Sequence, residues 1–123
     1  MPRILLVDDD DSFRKMLQLT LVKLGHEVTE ARDGKEALHL CAQEPPDVVL
    51  TDLVMPEKEG LETIATLKRG WPEVKVIAMS GGARINARDF LKVAKLMGAH
   101  ATLEKPFSNQ EMAMAIEAVL SVT

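Results

Sequence analysis

The hydrophobic positions of this chain alternate between short apolar runs and longer amphipathic segments. Three of the short runs, "ILLV", "VVL" and "VKVIAM", are largely apolar and rich in β-branched residues, which is typical of strands covered on both faces. The pattern predicts a strand followed by a helix, five times over. The predicted strands are Ile4 to Val7, Glu27 to Ala31, Val48 to Thr51, Val74 to Met79 and Ala101 to Glu104.

The segments between the strands carry helical spacing and helix-end signals. Asp33 precedes Glu36 by three residues and Ser108 precedes Glu111 by three, which is the spacing of a capping box. Asn86 is a candidate cap for the helix that ends near Gly98. One predicted apolar face, before the stop at Gly25, consists of Phe13, Leu17, Leu21 and Leu24.

Five such strand–helix units predict an α/β fold, a doubly wound parallel sheet with helices on both faces and right-handed crossovers. The chain has 123 residues, close to the commonest domain size. We therefore expect residues 1–123 to form a single domain.

Composition narrows the range of functions. The chain has 15 basic and 19 acidic residues, a formal charge of -4, which opposes nonspecific binding to nucleic acid or to an anionic membrane. Cys41 is the only cysteine, so a disulfide framework within one chain is excluded and a reducing cytoplasm is expected. The first apolar run is four residues long and ends in acid, which predicts neither a signal peptide nor a membrane span.

The candidate chemistry lies where the predicted strands end, since ligands of such sheets bind outside the carboxyl ends of the strands. Asp8 and Asp9 follow the first strand, Asp52 ends the third, Ser80 follows the fourth and Lys105 follows the fifth. Carboxylates gathered at one edge repel one another unless a cation neutralises them, and an all-oxygen site suits Mg²⁺. A carboxylate in such a site can act as a nucleophile toward phosphorus.

Asp10 and Asp11 are interpreted as residues that cap and favour the first helix.

Together, "ILLVDDDD", "VVLTDLVMPEKEG", "VIAMSGG" and "LEKPF", in this order and spacing, resemble the response-regulator receiver domain of two-component signalling over nearly the whole chain. The resemblance implies a flavodoxin-like strand order of 2-1-3-4-5 and a cis peptide before Pro106. It also implies that Asp52 is the phosphoacceptor, and that Asp8, Asp9 and Asp52 bind Mg²⁺ with the backbone carbonyl of Val54. Ser80 and Lys105 would contact the phosphoryl group.

The same resemblance implies partners and a mode of action. A histidine kinase or histidine phosphotransfer protein would supply the phosphoryl group, and a downstream protein or output domain would read the face built from the fourth and fifth helices. The domain would promote its own phosphorylation and dephosphorylation without being an enzyme acting on other substrates. No second domain follows the last predicted helix, so we expect either a stand-alone receiver or one excised from a longer regulator or hybrid kinase.

Two features depart from the family pattern. Thr102 stands where an aromatic switch residue is usual, three places before the lysine, and the segment between Ser80 and Gly98 looks a few residues longer than usual. The aromatic half of the usual switch is therefore missing, and we expect the face around the fourth helix to differ from the family pattern.

Three other functions share parts of this sequence pattern. In a haloacid-dehalogenase-like phosphatase Asp8 and Asp10 would supply a D-x-D pattern, but Asp52 would have no role. A flavodoxin-like flavin binder needs a phosphate loop after the first strand, where this chain is acidic. A pseudo-receiver would bind partners without phosphorylation, although its usual mark, loss of an acid or the lysine, is not seen.

Overall fold

A computed structural model describes residues 2–53, 57–80 and 87–121, with 57–59 and 87–91 described by their backbone only. Strands and helices alternate along the chain, as the pattern predicts. The strands are β1 (Arg3–Val7), β2 (Glu27–Ala31), β3 (Val48–Asp52), β4 (Lys75–Ser80) and β5 (Ala101–Glu104). The helices are α1 (Asp11–Lys23), α2 (Gly34–Gln43), α3 (Glu57–Gly70), α4 (Ala87–Met97) and α5 (Asn109–Leu120).

All neighbouring strands run parallel, in the order β2-β1-β3-β4-β5. This is the predicted doubly wound sheet and the order that the resemblance implied. The predicted strand bounds are correct to within one residue: Asp52 and Ser80 are the last residues of β3 and β4. The Lys105–Pro106 peptide bond is cis, as the resemblance also implied.

The two faces of the sheet support two separate cores, because side chains of a strand alternate between faces. Ile4 and Leu6 of β1 pack in one core with residues of α1 and α5. Leu5 and Val7 pack in the other, with residues of α2, α3 and α4. Every residue of β3 is buried, which explains why its sequence shows no polar alternation.

Most of the helix-end predictions are confirmed. Asp10 is the N-cap of α1 and its side chain accepts from the N–H of Phe13, and Ser108 and Glu111 form a complete capping box at α5. Two details differ. Glu36 accepts from the N–H of Arg32 instead of that of the N-cap residue, and Leu24, at the C-cap of α1, is 50% exposed. The proposed cap Asn86 lies outside the described residues.

None of the helices within the described ranges is both long enough and apolar enough to cross a membrane.

Candidate functional site

Two aspartates stand side by side at the carboxyl edge of the sheet because β1 and β3 are neighbours. Val7 of β1 is in register with Thr51 of β3. The residues that follow them are Asp8 and Asp52. Both are almost fully buried, with 0% and 2% exposure. The switch point in strand order thus brings together two carboxylates that are 44 positions apart in the sequence.

Lys105 reaches both carboxylates from the end of β5. Its ammonium lies 3.1 Å from Oδ2 of Asp8 and 3.1 Å from Oδ2 of Asp52. The Lys105 side chain is only 17% exposed, so water screens these ion pairs less than it screens surface pairs. One ammonium therefore holds the two buried carboxylates together.

Asp8, Asp9 and Asp52 offer one carboxylate oxygen each within 4.8 Å of one another. Asp9 differs from its neighbour, because it is exposed whereas Asp8 is buried. Oδ1 of Asp8 accepts a hydrogen bond from the backbone N–H of Asp10 at 2.9 Å, which fixes the rotation of that carboxylate. These three aspartates, with Ser80 and Lys105, are called the acidic site below.

Ser80 has a buried hydroxyl at the end of β4, where it is 1% exposed. Its Oγ finds no hydrogen-bond partner among the residues that the structure describes. Its backbone carbonyl accepts from the N–H of Lys105 at 2.8 Å, which ties the ends of β4 and β5 together. A buried hydroxyl with an unused donor is costly unless a ligand or water supplies the acceptor.

The structure places the predicted site residues Asp8, Asp52 and Lys105 in direct contact, with Asp9 beside them and Ser80 on the neighbouring strand end. The predicted backbone ligand, Val54, lies outside the described residues. Thr102, at the position of the missing aromatic, is partly buried on β5 opposite Ala78.

Burial dominates the electrostatics of Asp8. The pKa of its carboxyl group is raised from the ordinary 3.8 to about 6, chiefly by the loss of solvent and to a smaller extent by the nearby Asp52. The hydrogen bond from Asp10 and the ammonium of Lys105 act in the opposite direction without cancelling the effect of burial. A single lysine thus compensates the buried acid only in part.

The donor set fits a divalent metal ion. When ionised, three carboxylates and one ammonium carry a formal charge of -2, which a divalent cation would neutralise. Carboxylate oxygens are the hard ligands that Mg²⁺ takes. The exposed side at Asp9 leaves access for water, which Mg²⁺ usually keeps in part of its coordination shell.

Arg14 is a neighbour of the site that the sequence patterns did not reveal. Its guanidinium donates to the backbone carbonyl of Asp8 at 2.7 Å, to Oε1 of Glu30 at 3.1 Å and to Oδ1 of Asp11 at 2.7 Å. The side chain is 12% exposed. Its place in the sequence does not distinguish it, because the adjacent Lys15 is also charged and is 59% exposed.

Comparison with known proteins agrees with this geometry. The family model described as "Response regulator receiver domain" matches residues 4–117. The chain belongs to this family. The receiver domain is 36% identical over 122 residues to "Response regulator MprA" of Mycolicibacterium vanbaalenii, covering 98% of this chain and 51% of that protein. It is 34% identical over 120 residues to "Regulatory protein AtoC" of Escherichia coli, of which it covers 25%. The chain thus spans about half or less of the length of these curated relatives.

Solved structures give the same result for the fold. The receiver domain of NtrX from Brucella abortus superposes with a TM-score of 0.89 at 29% identity, with 98% of this chain and 99% of that chain covered. A CheY-like receiver domain protein from Methanospirillum hungatei gives a TM-score of 0.86 at 28% identity, with 98% and 94% covered. Both proteins are described as receiver domains, in agreement with the sheet order found in this chain.

Replacing Asp8 with asparagine tests the cost of the buried charge in the metal-free receiver. Since its pKa is raised on folding, the folded state binds more protons than the unfolded state between pH 3.8 and about 6, so stability falls as pH rises through that window. Asp8→Asn cannot ionise, and we expect it to raise the free energy of unfolding by about 1 to 3 kcal/mol at pH 8. The gain should vanish near pH 4. Urea unfolding from pH 4 to 8 measures it.

Glu117→Gln, which removes an exposed charge on α5, is the matched control and should change stability little at any pH. An Asp8→Asn protein less stable than the parent at pH 8 would show that the ion pair with Lys105 outweighs the burial of the carboxylate.

Replacing Arg14 with methionine tests its role in holding the start of α1. The change keeps a long side chain but leaves the Asp8 carbonyl and Glu30 without this charged donor, and we expect a loss of about 1 to 3 kcal/mol in the free energy of unfolding. Lys15→Met is the control, because Lys15 contacts the same Glu30 at 3.2 Å but is 59% exposed. It should cost less than about 1 kcal/mol. Equal losses in the two variants would argue against a special role for Arg14.

Proposed function

We propose that this receiver domain accepts a phosphoryl group on Asp52 from the phosphohistidine of a histidine kinase or histidine phosphotransfer protein, in a reaction that requires Mg²⁺. The observation that carries this proposal is the pair of buried carboxylates held by Lys105 at 3.1 Å, next to a third carboxylate. Family membership over residues 4–117 supports it. The signal then passes to a downstream protein or output domain.

The transfer is a substitution at phosphorus. A carboxylate oxygen of Asp52 attacks phosphorus, the P–N bond of the phosphohistidine breaks, and the imidazole leaves with the bonding electrons and takes up a proton. The product is an aspartyl phosphate on Asp52. Asp8, Asp9 and Asp52 would hold Mg²⁺, with the carbonyl of Val54 as the ligand that the family pattern adds. Bound there, Mg²⁺ neutralises the negative charge that gathers on the phosphoryl oxygens.

Lys105 and Ser80 supply the remaining groups for this chemistry. The Lys105 ammonium already lies against Asp52, so it needs only a small movement to pair with a new phosphoryl oxygen. The Ser80 hydroxyl is buried and has an unused donor with respect to the described residues, and a phosphoryl oxygen would accept from it. Both residues are at the ends of the adjacent strands β4 and β5. Their movement would therefore reach α4 and α5, which pack against these strands from opposite faces of the sheet.

In this function the domain turns over no external substrate. Asp52 is consumed by its own phosphorylation and regenerated by hydrolysis, so the domain assists only reactions of its own side chain. The net charge of -4 supports partners that are proteins, without direct contact to nucleic acid.

Incubation with acetyl phosphate, with and without Mg²⁺, tests the proposal by intact mass. We expect one phosphoryl group on the parent with Mg²⁺, none without the metal, and none on Asp52→Asn. Asp10→Asn is the matched control: Asp10 is exposed next to the site, and asparagine caps a helix as well as aspartate does. This variant should be labelled like the parent.

Labelling that survives Asp52→Asn but is lost in Asp8→Asn would contradict the proposal. It would make Asp8 the nucleophile, as the phosphatase alternative requires. Absence of any labelling of the folded parent with Mg²⁺ would favour a pseudo-receiver that binds partners without phosphorylation.

A further inference from the structure

An aromatic ring lies on a third side of the Lys105 ammonium. The Nζ atom of Lys105 is 4.1 Å from the centroid of the Phe13 ring, while Asp8 and Asp52 contact the same nitrogen at 3.1 Å. This distance is well within the range of about 6 Å for cation–π attraction. Because the Lys105 side chain is 17% exposed, the contact is largely shielded from water. The ammonium therefore has two charged partners and one aromatic partner.

The fold fixes the position of this ring. The N–H of Phe13 donates to the side chain of the N-cap residue Asp10 at 3.1 Å, so its backbone is held in the first turn of α1. The ring meets Phe107 edge to face, with centroids 6.1 Å apart and an interplanar angle of 81°. Phe107 is two residues after Lys105, and both rings pack against the core beneath α1 and α5. The aromatic pair thus joins the start of α1 to the segment that carries the lysine.

The ring differs from the carboxylates in what else it can bind. Asp8 and Asp52 carry the carboxylate oxygens that a metal ion and a phosphoryl group would use. Lys105 has to share these oxygens with the metal ion or the phosphoryl group once either is present. The face of a phenyl ring takes up no phosphoryl group and competes poorly for a hydrated Mg²⁺ ion. It attracts an ammonium through its quadrupole in both situations. A core role alone would require only an apolar side chain of similar volume at position 13.

We propose that Phe13 is a positioning residue for Lys105: its ring face keeps the ammonium at the acidic site when Asp8 and Asp52 turn to the metal ion and the phosphoryl group. This inference rests on the proposed phosphoacceptor function. The Phe13 ring is a third contact for Lys105, whose two carboxylate partners are both needed for the metal ion and the phosphoryl group during the transfer.

Fluorination of the Phe13 ring tests this role with little change of shape. Each fluorine withdraws electron density from the ring face, so incorporation of monofluorinated and then trifluorinated phenylalanine at position 13 should weaken the contact stepwise. We expect the rate of phosphorylation by acetyl phosphate with Mg²⁺ to fall in the same order, reaching about threefold to tenfold for the trifluorinated ring and for Phe13→Leu. The same fluorinated rings at position 107 are the matched controls and should leave the rate unchanged.

A second measurement reports the contact without reference to the rate. Protons on the Lys105 ε-carbon should show an upfield ring-current shift in the NMR spectrum of the metal-free parent, and Phe13→Leu should abolish it. We expect the shift to persist after addition of Mg²⁺, and again after addition of beryllium fluoride as a mimic of the phosphoryl group.

Rates that stay level across the fluorinated series at position 13 would overturn the inference, as would loss of the upfield shift on addition of Mg²⁺ or beryllium fluoride. If the parent takes up no phosphoryl group, the proposed function fails. The inference is then decided by the ring-current shift with Mg²⁺ alone: a retained shift upholds the contact, and a lost one refutes it.

Discussion

The ammonium of Lys105 between the carboxylates of Asp8 and Asp52 is the interaction on which the rest of the site depends. Two acids with almost no exposure, at the ends of adjacent strands, would destabilise each other without a cation. One lysine offsets burial and repulsion only in part, since the pKa of Asp8, raised chiefly by burial, is still about 6. A site that keeps a surplus of negative charge after internal pairing is prepared to bind a divalent cation.

The fold supplies this arrangement through strand order. Placing β1 next to β3 aligns the two aspartates, and placing β5 beside β4 brings Lys105 to the same edge. The cores on both faces make the sheet rigid, so the carboxylates are held in place by packing more than by their own attractions. Arg14 and Phe13, both in the first turns of α1, extend this rigidity to the residues that follow β1.

The sequence was sufficient for the fold because its signals are local and repeated. Buried strands are marked by short apolar runs, and helix starts by caps such as Ser108 with Glu111. The meeting of Asp8, Asp52 and Lys105 followed from the general rule that parallel strands end at one edge. Contacts across helices carry no such signal: nothing in the spacing distinguishes Phe13 as a partner of an ammonium from a residue of the core. The exposure of Leu24, predicted on the inner face of α1, follows from the end of the helix at that residue.

In the proposed function, Asp8, Asp9 and Asp52 together bind one divalent metal ion. Anomalous diffraction from crystals soaked in Mn²⁺, an octahedral substitute for Mg²⁺, tests this directly. We expect one strong peak at about 2.0 to 2.2 Å from an oxygen of each carboxylate, with Lys105 released from at least one of these carboxylates. Absence of a peak at this edge, with Lys105 still bound to both Asp8 and Asp52, would contradict it.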